Sequence, residues 1–183
     1  MSTKIENLKI LGAKLLTAPV FRDQRGAFEV FWEYDDLIKE GISFSPSNSH
    51  HSYNERSGTI RAFHFQRPPH EQSKLVSCVR GKVWDVILDL RPDSPTFLQW
   101  QGVELSSATG KTIYIPAGCA HGFATLEDCT TIAYLIEGQY HPESSEVIRW
   151  SDRELGINWP VYEPILSYKD EQASGLAAYL SSL

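Results

Sequence analysis

Apolar and polar residues alternate along most of the chain in short segments, which glycine, proline, asparagine and serine residues interrupt. This pattern is typical of an all-β sandwich or barrel. The clearest segment is Val83–Leu90, in which every second residue is apolar and one face is strongly apolar. It follows Leu75–Val79 after the turn Arg80–Lys82, and we interpret the two segments as a hairpin. Further strands are predicted at Phe97–Leu105, Lys111–Ile115, Thr130–Ile136 and Val147–Trp150.

Helical patterns are confined to the two ends of the chain. One covers Glu33–Glu40, with Gly41 placed to end the helix. The other covers residues 171–180, where Ser167 or Asp170 could cap the N-terminus. There is no internal repeat and no linker-like change in composition. Because a chain of this length suits one ordinary core, we predict a single domain spanning all 183 residues.

Composition narrows the classes of function. Hydrophobic residues make up 42% and charged residues 22% of the chain, which is ordinary for a folded protein. The formal charge of −6 has the wrong sign for a general nucleic-acid or anionic-membrane binder, so an anionic ligand would need a local basic pocket. No apolar run is long enough to span a bilayer, and three dispersed cysteines suit a reducing compartment. We therefore expect a soluble, cytoplasmic protein.

One local segment carries a specific motif. In Gly110–His121 a predicted strand ends in the turn Pro116-Ala-Gly118 and is followed three residues later by His121. Proline fixes φ on entering the turn, glycine permits the reversal, and strand alternation can aim the histidine into a barrel. The segment resembles the second signature motif of the cupin superfamily, with Thr125 in place of its usual terminal asparagine. This resemblance implies a cupin-type jelly-roll β-barrel with short peripheral helices.

The first cupin motif has a counterpart that bears on metal binding. Gly58, His64 and Glu71 match it, but Gln66 occupies the place of the second metal-binding histidine. A metal cupin would use His64, a second histidine at the position of Gln66, Glu71 and His121 as its four ligands. Because an amide oxygen is a weaker donor than imidazole, a tightly bound metal is disfavoured. We predict neither a metal nor another cofactor.

Ten ordered segments with near-family spacing resemble the dTDP-4-dehydrorhamnose 3,5-epimerase family of nucleotide-sugar epimerases, over roughly residues 15 to 172. The resemblance implies a cofactor-independent isomerase that inverts C3, C5 or both in a nucleotide-diphospho-4-keto-6-deoxysugar, most simply a dTDP sugar. The segments are Phe21–Gly26, Gly58–Gln66, Gln72–Val76, Asp85–Arg91, Ser94–Thr96, Ile115–Phe123, Tyr140–Pro142, Trp150–Asp152, Ile157–Pro160 and Leu166–Asp170.

Inverting a carbon beside a ketone requires a base, an acid and an anchor for the enolate oxygen. In the family a histidine paired with an aspartate is the base, and His64 and Asp170 match them. Tyr134 matches the family's acid, and Lys74 would stabilise the enolate. His121 would either donate to the same oxygen or support the His–Asp pair. Taken alone, each of these residues could equally have a structural role in the sheet or at a helix cap.

The resemblance also implies a substrate-binding set and a partner chain. Arginines suit the diphosphate because their planar donors engage phosphate oxygens in pairs, and aromatic rings suit the nucleotide base. We predict a homodimer, in which the N-terminal segment adds to a neighbouring sheet and the partner contributes to the nucleotide site. The predicted substrate-binding residues are Arg25, Phe28, Arg61, Gln72, His121, Tyr140 and Lys169.

Departures from the family pattern leave the substrate open. Val30 stands where a glutamate is expected, Asn48 and His50 replace a glutamine and an asparagine, and Ala62-Phe63 adds bulk next to the base. Alternatives are a single-carbon epimerase, a 3,4-ketoisomerase on another deoxysugar nucleotide and a non-catalytic sugar-nucleotide-binding cupin. A metal-dependent dioxygenase or isomerase is the rival of a different enzyme class.

Overall fold

The computed structural model describes residues 3–183, which contain thirteen strands and three short α-helices. The strands are β1 (Lys4–Asn7), β2 (Lys14–Thr17), β3 (Val20–Asp23), β4 (Gly26–Glu29), β5 (Asn48–Asn54), β6 (Ile60–Gln66), β7 (Ser73–Arg80), β8 (Lys82–Asp89), β9 (Trp100–Ser106), β10 (Lys111–Ile115), β11 (Cys119–Thr125), β12 (Thr130–Glu137) and β13 (Ser145–Val147). The helices are α1 (Tyr34–Lys39), α2 (Tyr168–Glu171) and α3 (Leu176–Leu180), and a 3₁₀ turn covers Pro142–Ser144.

The strands form two antiparallel sheets that face each other. One sheet has the order β1-β2-β10-β7-β12-β5, and the other has the order β13-β6-β11-β8-β9. Buried side chains from both sheets, among them Val76, Ile87, Ile113 and Phe123, fill the space between them. The predicted all-β fold, a jelly-roll barrel with short peripheral helices, is confirmed. Strands β3 and β4 form a separate hairpin.

Strand β8 has apolar residues on both faces. Its alternating residues Trp84, Val86 and Leu88 pack against the C-terminal part of the chain, as predicted for a strongly apolar face. The opposite face carries Val83 and Ile87 into the space between the sheets. This double burial explains why the strand is so easily recognised in the sequence.

The predicted hairpin of the segments before and after Gly81 is wrong. Strand β7 pairs with β10 and β12, whereas β8 pairs with β9 and β11, so the chain passes from one sheet to the other at Gly81. Gly81 has φ +79°, and a Cβ there would lie 2.3 Å from Oγ1 of Thr130. Alternation identifies both strands but does not show which sheet each one joins.

Helix α1 agrees with the prediction and ends before Gly41, which has φ +76°. The predicted continuous helix over residues 171–180 is wrong, because the structure has α2 and α3 with a break between them. Within that break the backbone bonds to another segment, since Arg149 N donates to Ser174 O at 2.9 Å. None of the helices within residues 3–183 is long and apolar enough to cross a membrane.

Candidate active site

A cavity of about 270 Å³ opens between the two sheets and brings together several polar residues predicted from the sequence. Five strands supply the walls: β5, β7 and β12 of the six-stranded sheet, and β6 and β11 of the five-stranded sheet. Most of the lining side chains can carry or exchange a proton. The lining residues are His50, Ser52, Arg61, His64, Lys74, His121, Phe123, Tyr134 and Ile136.

Strand pairing explains how these side chains reach one cavity. His121 on β11 lies opposite His64 on β6, and Phe123 lies opposite Arg61, with an irregularity in the register between the two pairs. This bulge lets Arg61 and His64, an odd number of residues apart, line the same cavity. In the other sheet, Tyr134 on β12 lies directly opposite His50 on β5.

His64 and Asp170 form a close pair. His64 Nε2 lies 2.8 Å from Asp170 Oδ1, and the side chains are 39% and 3% exposed, respectively. The other carboxylate oxygen accepts a hydrogen bond of 2.6 Å from Ser167 Oγ. Burial raises the pKa of Asp170, but the contacts with His64 and Ser167 outweigh it and hold the pKa below its usual value. Because Ser167 caps α2, the Asp170 carboxylate is available to the histidine.

A second histidine–aspartate pair lies deeper in the barrel. His121 Nε2 is 2.8 Å from Asp85 Oδ2, and both side chains are buried. Sequence reasoning assigned no role to Asp85, although a carboxylate inside the apolar strand β8 is itself a signal of a functional contact. The partner of His121 is therefore Asp85, and the pair formed by His64 is separate from it.

Lys74 lines the same cavity from β7. Burial lowers the pKa of its amine to about 8, while the negative charge of Asp85 acts in the opposite direction. The ammonium is thus held in a poorly hydrated position with one nearby carboxylate. A cation in this setting interacts strongly with any negative charge that forms in the cavity.

Tyr134 presents its ring edge to His121, with ring centroids 6.0 Å apart and planes at 74°. Burial raises the pKa of the phenol well above its ordinary value, the Asp85 charge adds to this effect, and Arg61 opposes it. The hydroxyl therefore stays protonated at neutral pH and can act as a proton donor.

Comparisons with known proteins agree with this geometry. The model of the dTDP-4-dehydrorhamnose 3,5-epimerase family matches residues 7–178. The chain belongs to this family. The enzyme of that name from Salmonella typhimurium is 40% identical over 163 residues, which cover 87% of each chain. The enzyme from Sinorhizobium fredii is 38% identical over 93% of this chain and 88% of its own.

Solved structures of family members have the same fold. The Bacillus anthracis epimerase with bound TDP and PPi has a TM-score of 0.92 and 39% identity, covering 96% of this chain and 100% of that one. The Legionella pneumophila epimerase in complex with dTDP-4-keto-L-rhamnose has a TM-score of 0.90 and 36% identity, covering 96% and 94%. The sequence-based assignment to an isomerase of this family is confirmed.

Of the substrate-binding residues predicted from the family, Arg61 and His121 line the cavity, and the other five do not. Arg25 and Phe28 lie on the β3–β4 hairpin, where the Arg25 side chain is 90% exposed and Phe28 is 69% exposed. Tyr140 is 61% exposed, and Lys169 is also exposed. Gln72 donates hydrogen bonds to the carbonyls of Gly138 and Gln139 in the loop before Tyr140.

The cupin metal set does not assemble among the described residues. His64 and His121 line the cavity, but Glu71 is not among its lining residues. The Gln66 amide bonds to the backbone instead, accepting from His141 N at 2.7 Å and donating to the carbonyls of His70 and Gln139. Gln66 therefore joins two loops.

The departures from the family pattern differ in their position relative to the cavity. His50 lines it, whereas Asn48 donates to the carbonyl of Gly138 outside it. Ala62 and Phe63 are fully buried, and Phe63 packs against Trp159 with ring centroids 5.6 Å apart. The expectation that these two residues add bulk beside the base is wrong, because their side chains contribute to the core instead.

Proposed function

We propose that this chain inverts C3 and C5 of dTDP-4-keto-6-deoxyglucose to form dTDP-4-dehydrorhamnose. The observation that carries the proposal is that His64, Lys74 and Tyr134 line one cavity, with Asp170 paired to His64. Relatives with this name cover most of the chain, and the Legionella structure holds a dTDP-4-keto sugar. A non-catalytic sugar-nucleotide-binding protein would not need this combination of base, acid and cation.

In the proposed reaction, neutral His64 removes the proton from a carbon next to the C4 ketone. The C–H electron pair becomes the enolate double bond, and the ketone oxygen gains negative charge. Asp170 contacts Nε2 of His64, so Nδ1 is the ring nitrogen left to act as the base, and the carboxylate stabilises the imidazolium that forms. The pair therefore supplies both the base and the orientation of its ring.

The enolate oxygen is stabilised by Lys74, whose poorly hydrated ammonium lines the cavity. His121 lines the same cavity, and its contact with Asp85 through Nε2 holds the ring in place. Tyr134 then delivers a proton to the opposite face of the carbon, which inverts its configuration. Before the next cycle, the His64 imidazolium releases its proton to solvent, and the Tyr134 phenolate takes one up from solvent. Two such cycles, one at C3 and one at C5, give the doubly inverted product.

Incubation with dTDP-4-keto-6-deoxyglucose in D₂O tests the proposal, with deuterium followed at each carbon by NMR. We expect incorporation at both C3 and C5 together with formation of the epimer. Incorporation at C3 alone would assign the chain to the single-carbon epimerases, such as the 36% identical dTDP-4-dehydrorhamnose 3-epimerase of Streptomyces niveus. No incorporation at either carbon contradicts the proposal. Chelation is expected to leave the rate unchanged, because the proposed steps use no metal.

The proposal includes a homodimer in which each β3–β4 hairpin completes the partner's site. Two observations support it: Arg25 and Phe28 lie outside their own chain's cavity, and the hairpin pairs with neither sheet among the described residues. In the isolated chain, Arg25 donates to Asp23 within the same hairpin. A partner's diphosphate site would give the guanidinium an anionic ligand to bind.

Two other predictions remain proposals. Strands β8 and β11 contribute buried residues to two of the hydrophobic clusters, which fits a single domain over residues 1–183. Cys78, Cys119 and Cys129 are free thiols, which fits a reducing cytoplasm. Separation of cell fractions with an antibody against the chain would test the location.

A further inference from the structure

A buried amide lies behind the cavity at the end of β5. Asn54 is 2% exposed, although asparagine is usually a surface residue. Its Nδ2 donates to the carbonyls of Ser52 and Thr130, each at 3.2 Å. Its Oδ1 accepts a hydrogen bond of 2.9 Å from Nε of Arg61. The amide therefore connects β5 and β12 of one sheet to β6 of the other.

The orientation of this amide is fixed by its partners. Two carbonyl oxygens require the NH₂ group on one side, and the N–H of Arg61 requires the oxygen on the other. A flipped amide would set donor against donor and acceptor against acceptor. Asn54 can therefore present only an acceptor to Arg61.

Arg61 uses only part of its donor capacity in this contact. It lines the cavity, and Nε is the atom that Asn54 holds. Within residues 3–183, the two terminal amino groups of Arg61 have no hydrogen-bond or ion-pair partner. The positive charge also acts on the site, because it opposes the rise in the pKa of Tyr134 and contributes to the lowered pKa of Asp170.

A second arginine of the same chain shows what is unusual about this contact. Arg91 is held through Nε and a terminal amino group by the fully buried carboxylate of Asp89, which neutralises its charge. Asn54 is neutral, so it fixes the direction of the Arg61 side chain and leaves its full positive charge in place. The first arrangement suits a structural arginine, and the second suits an arginine that binds an anion.

We propose that Asn54 is a positioning residue that holds Arg61 ready to bind the diphosphate of the sugar nucleotide through its two terminal amino groups. This inference rests on the proposed function, which supplies the diphosphate. An unrestrained arginine would be free to turn away from the cation Lys74 in the same cavity, and substrate would have to order the side chain on binding. Because Asn54 already holds the Arg61 side chain in place, substrate binding does not have to supply the free energy of ordering it.

A double-mutant cycle with dTDP as the probe tests the proposal. Calorimetric titration measures dTDP affinity in the wild type, Asn54→Ala, Arg61→Ala and the double variant. Loss of a hydrogen bond to a charged group predicts that Asn54→Ala weakens dTDP binding by about tenfold. In the Arg61→Ala background the same change should have no further effect. With the sugar nucleotide, Asn54→Ala should raise KM and leave kcat near its wild-type value.

Thr130→Val is the matched control. Thr130 is fully buried at the same end of the barrel, and its hydroxyl bonds to the carbonyl of Glu127 without touching Arg61. This variant should lower Tm without changing dTDP affinity. If Asn54→Ala does not fold, Asn54→Ser replaces it, because the shorter hydroxyl keeps a donor for the strand carbonyls but does not reach Arg61.

The outcomes separate this inference from the proposed function. An equal loss of affinity from Asn54→Ala in both backgrounds would overturn the positioning role and leave Arg61 as a diphosphate ligand. No loss from Asn54→Ala, with a clear loss from Arg61→Ala, would overturn it in the same way. If Arg61→Ala itself binds dTDP normally, both this inference and the assignment of Arg61 to the diphosphate fail.

Discussion

The barrel cavity and the β3–β4 hairpin carry predicted functional residues in two very different states. In the cavity, His64 and His121 each lie 2.8 Å from a buried carboxylate, so their positions are set by the folded chain. On the hairpin, the Arg25 side chain is 90% exposed, and within residues 3–183 it bonds only to Asp23 of the same turn. In the cavity, a single chain already positions the side chains that would transfer protons. The hairpin does not line the cavity of its own chain.

This difference follows from the elements that carry the residues. The strands that carry His64, His121, Lys74 and Tyr134 each pair with a neighbour on both sides, whereas the hairpin is a two-stranded ribbon, which is marginally stable alone. Exposed Phe21 and Phe28 on that ribbon, 6.4 Å apart, form an apolar surface that is costly to leave in water. We infer that the fold prepares the proton-transfer groups, and that association between chains prepares the nucleotide-binding groups.

Removing the base is the change with the largest expected effect. His64→Ala should slow C–H exchange about 10²–10⁴-fold, the usual contribution of a general base, while dTDP affinity stays within a few-fold. Asp170→Asn should act in the same direction and less severely. The matched control is His51→Gln, which removes an exposed imidazole on β5 that does not line the cavity. Near-normal exchange in His64→Ala would remove this residue from the role of base.

Tyr134→Phe should separate exchange from inversion. Without the phenol, His64 can still remove the α-proton and return a deuteron to the same face. Deuterium exchange should therefore continue, whereas inversion of the carbon should be largely lost. In D₂O the variant should therefore label the starting sugar while little epimer forms. Lys74→Ala should instead depress both together, because enolate stabilisation precedes both. An equal loss of exchange and inversion in Tyr134→Phe would mean that another group is the acid.

Mixing two inactive variants tests whether the hairpin acts across a dimer. If Arg25 serves the partner's cavity, a hybrid of Arg25→Ala and His64→Ala chains has one cavity with both residues intact. Random assortment makes half of the dimers hybrid, so activity should recover to about a quarter of the wild-type value. Refolding or long incubation of the mixture, followed by the epimerase assay, measures this. No recovery from a mixture shown to form hybrids would place Arg25 in its own chain's site.

Much of the fold could be predicted from the sequence, but strand pairing could not. Lys111–Ile115 was predicted with its observed bounds, because a turn marks one end and the residues are almost all buried. The segments on either side of Gly81 look like a hairpin in the sequence, yet they belong to different sheets. The alternation of apolar and polar residues shows which face of a strand is buried. It does not show the pairing partner, because that depends on residues far away in the sequence.

The candidate site shows the same limit. His64, Lys74 and Tyr134 could be placed from the family resemblance, and the structure gathers them in one cavity. Asp85 was missed, because its role depends on the pairing of β8 with β11, which brings it next to His121. The positions of Arg25 and Phe28 could not be settled either, since a sequence does not reveal which copy of a chain a hairpin will contact.

The smallest predicted effect concerns pH and again contrasts the buried cavity with exposed residues. With the pKa of Lys74 lowered by burial to about 8 from an ordinary value of 10.5, the charge that stabilises the enolate is lost as pH rises through 8. The rate of exchange should therefore fall on the alkaline side, reaching about half of its maximum near pH 8.

The stability of the folded chain should change in the opposite direction. The unfolded chain binds more protons than the folded chain between pH 8 and 10.5, so the free energy of unfolding should rise across that window as the buried charge is removed. Lys74→Arg, which stays protonated, should abolish the alkaline fall, whereas the same change at exposed Lys9, far from any predicted site residue in the sequence, should leave the profile unaltered. An alkaline limb that persists unchanged in Lys74→Arg would show that another group in the cavity titrates there.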